Sequence, residues 1–201
     1  MYCILVTGIP AAGKSTMAEF LAKYFKLPVI SKDKIKEVMY EDIGFRSREE
    51  KNKLGVASMN IMYYMATQLM KNDQPFILEN NFEKISKAPL LEILKKYSHT
   101  AITVTLTGDY LRIYERFVER NHSQDRHRGH VVNSCYPEKT PNKDVEPISF
   151  ENFVSGIVDR GMDCFVANGP HLVLDTTDFD RINIDALIEK INNCREDILH
   201  G

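Results

Sequence analysis

Residues Gly8 to Thr16 read Gly-Ile-Pro-Ala-Ala-Gly-Lys-Ser-Thr, a complete G-x-x-x-x-G-K-[ST] loop set directly after the apolar run Tyr2–Thr7. A buried strand that turns through glycines into a helix aims several backbone N–H groups, and the positive end of the helix dipole, at a bound phosphate. Gly8, Ala11, Ala12, Gly13, Lys14, Ser15 and Thr16 are therefore the candidate cradle for a nucleotide. Lys14 reaches the β- and γ-phosphates, and the Ser15 hydroxyl joins the shell of Mg²⁺. Gly8 and Gly13 let the backbone approach the anion with positive φ. A chance turn is a poor alternative, because the strand and helix that the motif requires both flank it.

Outward from the loop, short β-rich runs alternate with helical patterns. That alternation predicts an α/β fold, a parallel sheet with helices on both faces. Strands are expected at Tyr2–Thr7, Pro28–Ser31, Pro75–Glu79, Thr100–Leu106 and His171–Asp175. Helices are expected at Lys14–Phe25, Lys32–Tyr40, Ser47–Lys71, Pro89–Tyr97, Tyr110–Arg120, Phe150–Arg160 and Asp185–Leu199. Leu54, Ala57, Ile61, Met65 and Leu69 recur at three and four and predict the buried stripe of the long third helix. Leu187, Ile191, Cys194 and Ile198 do the same for the last helix, and Pro89 suits a first helical turn.

A chain of 201 residues with 43% apolar content has the size of one domain, spanning residues 1–201. A net charge of −2 exerts no global pull toward nucleic acid or anionic lipid. Neither a signal segment nor a membrane span is apparent, so a cytoplasmic protein is expected. Cys3, Cys135, Cys164 and Cys194 are scattered, which suits reduced thiols better than a disulfide or zinc framework. No feature speaks to oligomeric state.

One segment departs from the alternation. Asn121 to Ser149 is polar, contains Pro137, Pro141 and Pro147, and carries the cluster Arg126-His127-Arg128-Gly129-His130. A connection of this length inside a domain is usually functional or disordered. Its first half reads as a mobile lid and its second half as an irregular excursion.

Three further stretches carry chemistry. Asp33, in Ser31-Lys32-Asp33-Lys34-Ile35-Lys36, stands at the carboxyl end of a parallel strand, where open α/β sheets place their ligands. It suits deprotonation of an attacking hydroxyl or orientation of the Mg²⁺ shell; the bland alternative is a helix cap. Lys36, one turn on, either faces the same cleft or is solvated. The third strand stops at Glu79-Asn80-Asn81-Phe82: Glu79 suits a metal-bound water or substrate hydroxyl, Asn81 a hydrogen bond and Phe82 an apolar wall. Asn80-Asn81 also suits an ordinary turn. Tyr40 and Phe45 complete the candidate lining of the acceptor site.

Arg112, Arg116 and Arg120 recur at four on one helix face, and the line continues into Arg126 and Arg128. Guanidinium groups on a closing lid suit the charge spread over a transferring phosphoryl group. Arg112 instead reads as paired with Glu115 on a solvated face. His122, His127, His130 and Cys135 match no common zinc spacing.

The loop Gly8–Thr16, the segment Ser31–Lys36, the strand end Ile77–Phe82 and the Arg/His lid together resemble the small P-loop kinases of the AAA-type, shikimate-kinase-like group. That group includes shikimate and gluconate kinases, chloramphenicol phosphotransferase, polynucleotide 5′-hydroxyl kinase domains and zeta-toxin-like kinases. The resemblance spans most of residues 1–180, with only the phosphate loop highly specific. It implies a five-stranded parallel sheet in the order 2-3-1-4-5, an arginine-bearing lid after the strand-4 helix, and ATP and Mg²⁺ as cofactors. It implies Asp33 as general base, Arg116 and Thr177 near the nucleotide, and Glu79 where a Walker B aspartate would stand.

The expected activity is transfer of the γ-phosphate of ATP to a hydroxyl of a small molecule. Lys14, Asp33, Arg120 and Arg126 are its catalytic residues. Asp33, Lys36, Glu79, Asn81 and Phe82 hold the acceptor, and Ser15, Asp33 and Glu79 the metal. A polynucleotide 5′-hydroxyl kinase and a nucleotide-binding regulatory ATPase are the alternatives.

Overall fold

The computed structural model describes residues 1–139 and 146–201; Pro141 of the expected excursion lies outside the described residues. Elements follow in the order β1 (Tyr2–Gly8), α1 (Lys14–Phe25), β2 (Val29–Ser31), α2 (Lys32–Asp42), α3 (Arg48–Met70), β3 (Ile77–Glu79), α4 (Lys84–Lys96) and β4 (Thr100–Thr107). Then come α5 (Tyr110–His122), α6 (Arg128–Val131), α7 (Phe150–Arg160), β5 (His171–Asp175) and α8 (Ile184–His200). The five strands form one all-parallel sheet in the order β2-β3-β1-β4-β5, as expected. Among the described residues, no helix is long and apolar enough to cross a membrane.

The strand period of two builds the core. Ile4 and Val6 of β1 face a layer completed by α1, α5, α7 and α8, while Cys3 and Leu5 face the opposite layer under α3 and α4. Both faces are covered, so β1 is buried along its whole length. β5 forms one edge, with exposed residues alternating with half-buried ones. Side chains start several helices: Ser31 Oγ accepts from Lys34 N–H at 3.4 Å, Asp109 Oδ1 from Arg112 N–H at 2.9 Å and Asn183 Oδ1 from Ala186 N–H at 2.9 Å.

Three expectations need correction. In α3 the buried face is Met59, Met62, Tyr63, Ala66 and Met70, whereas Ile61 and Met65 are 40% and 43% exposed. Both sets follow the helical period; the sheet takes the face bearing Tyr63 and three methionines, and one residue step turns a side chain by about 100°. Helix α4 begins at Lys84, not Pro89, because Ser86 Oγ accepts from Glu83 N–H at 3.3 Å and starts the helix before the proline, which lies inside it. The segment after α5 is not simply irregular. It contains α6, and Phe45 and Tyr136 exchange backbone hydrogen bonds of 2.8 Å each way. Tyr40, Phe45 and Val132, with Leu54 and Tyr136 against them, make a third small core where this segment meets α2 and α3.

Candidate active site

The phosphate loop leaves β1 through Gly8, whose φ is +128° and whose missing Cβ would lie 1.9 Å from the Leu106 carbonyl oxygen. Only glycine fits there. The loop enters α1 through Gly13, and Ala11 between them also has positive φ, 64°. Lys14 Nζ donates to the Ile9 carbonyl oxygen at 2.7 Å. Burial lowers the Lys14 pKa to about 8, although Glu79 acts against the shift.

Glu79 is 4% exposed at the end of β3, in register with Val6 of β1 and Ser31 of β2. Parallel pairing thus delivers the Ser31 hydroxyl to one carboxylate oxygen, while Ser15 Oγ donates to the other at 3.4 Å. Burial pushes the Glu79 carboxyl up, opposed by Lys14 and these hydroxyls. Ser15, Ser31 and Glu79 present oxygen atoms only, a donor set that suits Mg²⁺. Among the described residues, no group of three or more His, Cys, Asp and Glu side chains is close enough to hold a metal on its own.

Asp33 is the second residue of α2. Its capping alternative falls away, because Ser31 occupies the cap. Burial opposes ionisation of Asp33, but His130, Lys36, Arg126 and Lys32 outweigh it and hold the carboxyl below its ordinary range. Burial, with Arg126 and Lys36, brings His130 down to about 4 despite Asp33 and Glu37. His130 is therefore neutral near pH 7, and Lys36, Arg126 and Lys32 keep Asp33 ionised there.

The arginines arrive from α5 and the lid. Arg116 Nη2 donates to the Thr176 carbonyl oxygen at 2.6 Å, and its guanidinium lies 4.3 Å from the centroid of the Phe179 ring. Arg112 pairs with Glu115 at 3.2 Å on an exposed face. Arg116 Nη1, Arg120 Nε and Arg126 Nε are buried without a hydrogen-bond partner among the described residues. Burial brings Arg120 down to about 10, and Arg126 adds to that shift.

The lid is fastened to α2 and α3. His130 Nε2 stands 3.1 Å from Glu37 Oε1, His127 Nε2 stands 2.9 Å from Glu41 Oε1, and the Tyr136 hydroxyl donates to Glu41. Lys51 of α3 donates to the His130 and Val132 carbonyl oxygens at 3.1 and 2.5 Å and to Asn133 Oδ1 at 3.1 Å. Its burial lowers its pKa to about 8. Gly129 rests on Tyr40, so a Cβ there would come within 2.3 Å of the ring.

One cleft of about 630 Å³ gathers Ala11, Gly13, Lys14, Ser15, Thr16, Asp33, Lys36, Glu79, Asn81, Arg116, Arg120 and Arg126. Gly8 and Ala12 lie outside its lining; Gly8 shapes the loop from the end of β1, and the Ala12 side chain is buried in the core. Four further expected residues do not line the cleft. Tyr40 and Phe45 are buried in the small core with Val132, because the lid segment packs over their rings. Phe82 turns inward and stacks on Phe165 with centroids 5.0 Å apart, because an apolar pocket under α3 and α4 accepts its ring. Thr177 braces two loops: its hydroxyl accepts from Asp109 N–H at 2.8 Å, and its own N–H donates to Asp175 Oδ1 at 2.8 Å. Phe179 stands at the cleft instead, against Gly13. Sequence reading missed Phe179, Ser31, Glu37 and Lys51. Only Ser31 carried a local signal, as the last strand residue before a helix.

A phosphate loop at the carboxyl edge of a 2-3-1-4-5 parallel sheet, faced by arginines from a lid, defines a small P-loop protein with the kinase fold. The family described as AAA domain matches residues 4–146, and the chain belongs to it. No curated protein matches the chain. A protein from Chloroflexus aurantiacus j-10-fl that carries a provisional kinase designation is 26% identical, with a TM-score of 0.78 over 96% of this chain and 97% of its own. A gluconokinase from Sinorhizobium meliloti 1021 (12% identity, TM-score 0.58, 99% and 97% covered) shares the fold. So does a sugar kinase from Janibacter sp. HTCC2649 (13%, 0.52, 97% and 94%).

Proposed function

We propose that this protein is a cytoplasmic ATP- and Mg²⁺-dependent kinase that transfers the γ-phosphate to a hydroxyl group of a small molecule. The observation that carries the reading is the convergence of three features on one cleft: the phosphate loop, the carboxylate of Asp33, and arginine N–H groups without partners. The kinase, gluconokinase and sugar kinase designations of the structural relatives point the same way.

In this reading the loop amides and Lys14 hold the triphosphate, with Phe179 and Arg116 flanking the nucleotide. Asp33 accepts the acceptor's hydroxyl proton as that oxygen attacks the γ-phosphorus. The bond from phosphorus to the bridging oxygen breaks, and ADP leaves with the electron pair. Arg120 and Arg126 meet the charge spread over the transferring oxygens. When bound, Mg²⁺ neutralises charge on the phosphate oxygens; Ser15 and Glu79 are the residues to hold it. The fastened lid excludes water and favours a compact acceptor over a polymer.

The test is transfer of labelled γ-phosphate from Mg·ATP to pooled sugars, hydroxy acids, nucleosides and 5′-hydroxyl oligonucleotides, with Asp33→Asn as control. A labelled product that disappears in the control supports the reading. Release of inorganic phosphate alone, with no labelled product from any pool, would favour a nucleotide-regulated switch.

A further inference from the structure

One side chain outside the cleft holds the lid from the body of the protein. Lys51 of α3 is 8% exposed and does not line the cleft, yet its ammonium makes three hydrogen bonds, all to the lid. They go to the carbonyl oxygens of His130 and Val132 and to Asn133 Oδ1. We infer that Lys51 is a positioning residue for phosphoryl transfer, which sets the place of Arg126 in the cleft by fixing α6. The inference rests on the kinase reading and adds to it a residue that touches neither nucleotide nor acceptor.

Arg126 does not set its own place. Its Nε is buried without a partner among the described residues, so no bond there anchors the guanidinium. The backbone that carries such a side chain decides where its charge stands. Arg128, two residues on, is committed elsewhere: its Nε and Nη2 donate to the two oxygens of Glu138 at 2.9 Å each, outside the cleft lining. Among the described residues, Arg126 is therefore the arginine that the lid brings to the cleft. It leads directly into α6, a single turn of four residues, Arg128–Val131, and one turn does not hold its shape unaided. His127 closes the start of that turn, its Nδ1 accepting from Gly129 N–H at 3.0 Å. Lys51 closes the end, where helix carbonyls lack partners and a cation suits the dipole.

The hold comes from hydrogen bonds and not from charge pairing. Lys51 makes no ion pair among the described residues, and the charged groups that act on it, Lys36, Arg126 and Arg48, are all cationic. A buried ammonium costs more free energy than an apolar side chain of the same length. Its compensation here is the three lid oxygens, with the Phe45 ring 5.6 Å from the ammonium to the centroid. That compensation exists only while the lid is docked. Docking of α6 and burial of the Lys51 ammonium are thus one event, and it fixes the backbone next to Arg126. The nucleotide end is built independently, from the phosphate loop and from Arg116 and Arg120 of α5. Loosening Lys51 should therefore disturb transfer more than nucleotide binding.

The experiment is a double-mutant cycle on the full chain, read by transfer of labelled γ-phosphate from Mg·ATP, by nucleotide Kd in calorimetry and by hydrogen exchange. Lys51→Met is expected to lower kcat by about 10², with Kd for Mg·ATP changed by no more than about twofold and faster exchange across residues 126–136. The double variant, Lys51→Met with Arg126→Met, should be no slower than Arg126→Met alone, because a residue that acts through Arg126 has nothing left to position. A residue that serves only the stability of the fold would instead multiply its effect. Asn133→Ala, at an exposed position, removes one of the three bonds and should lower kcat several-fold with the same loss of additivity; it carries the test if Lys51→Met does not fold. Multiplied effects in the cycle, an unchanged kcat, or unchanged exchange across the lid overturns the inference. If the wild type labels no acceptor, the kinase reading falls, and the same cycle is read on release of inorganic phosphate. Loss of additivity there supports the positioning role, and multiplied effects overturn it.

Discussion

The nucleotide end and the α2–lid end of the cleft are built by opposite means. The first comes from nine consecutive residues, Gly8 to Thr16, whose backbone is set by β1, α1 and two glycines. The second is assembled from α2, Lys51 of α3, the end of β3, and the lid, joined by side-chain contacts across up to 95 positions of sequence. A site made of local backbone carries its geometry with it. A site made of distant side chains exists only when the lid is docked, so it can change its ligand while the phosphate loop stays as it is.

The sharpest way to break the comparison is at Gly8. Gly8→Ala forces a Cβ into the β4 backbone and is expected to cost about 3 kcal/mol or more, read as lost folded protein in thermal denaturation. Asp33→Asn, at the junction of the two ends, is expected to lower kcat by about 10³ with nucleotide affinity unchanged, measured by phosphate transfer and nucleotide titration. At the far end, Gly129→Ala pushes the lid from Tyr40. It should lower kcat/KM by about 10² through misplaced lid groups and raise hydrogen exchange across residues 126–136, while Gly8–Thr16 stays protected. Equal exchange at both ends would erase the distinction.

The smallest effect is a pH dependence. Lys14 and Lys51 titrate near 8 when folded, against an ordinary value of 10.5. Between those values the unfolded chain holds more protons, so both groups make stability rise with pH across that window. Nucleotide affinity runs the other way, because the phosphates favour charged Lys14. Kd for Mg·ATP is expected to rise by about tenfold per pH unit above 8, and Lys14→Met should flatten that slope in calorimetry.

Much of the fold was legible because its signals are local. The apolar runs that end at Gly8, Ser31 and Glu79 mark three strands, and the loop motif orients β1 and α1. The third helix shows where such signals fail. Two apolar faces of α3 share one period, and the sheet took the one bearing Tyr63 rather than the one bearing Ile61 and Met65. At Phe82 an aromatic beside two asparagines looked like a wall of the site, yet a pocket above Phe165 drew it inward. Thr177 stood on the expected loop, but its hydroxyl was claimed by the Asp109 amide, and Phe179, two residues on, took the place at the cleft.

By itself the sequence determined the phosphate loop, the parallel α/β sheet and a carboxylate at its ligand edge, since glycine conformation, strand alternation and helix starts are properties of neighbouring residues. Only the tertiary structure decided that Lys51 holds the lid, that Arg116, Arg120 and Arg126 bring unmatched donors to the cleft, and which face of α3 is buried. Those outcomes depend on packing between segments far apart in the chain, where the free energy of contact, not local propensity, selects among equally patterned alternatives.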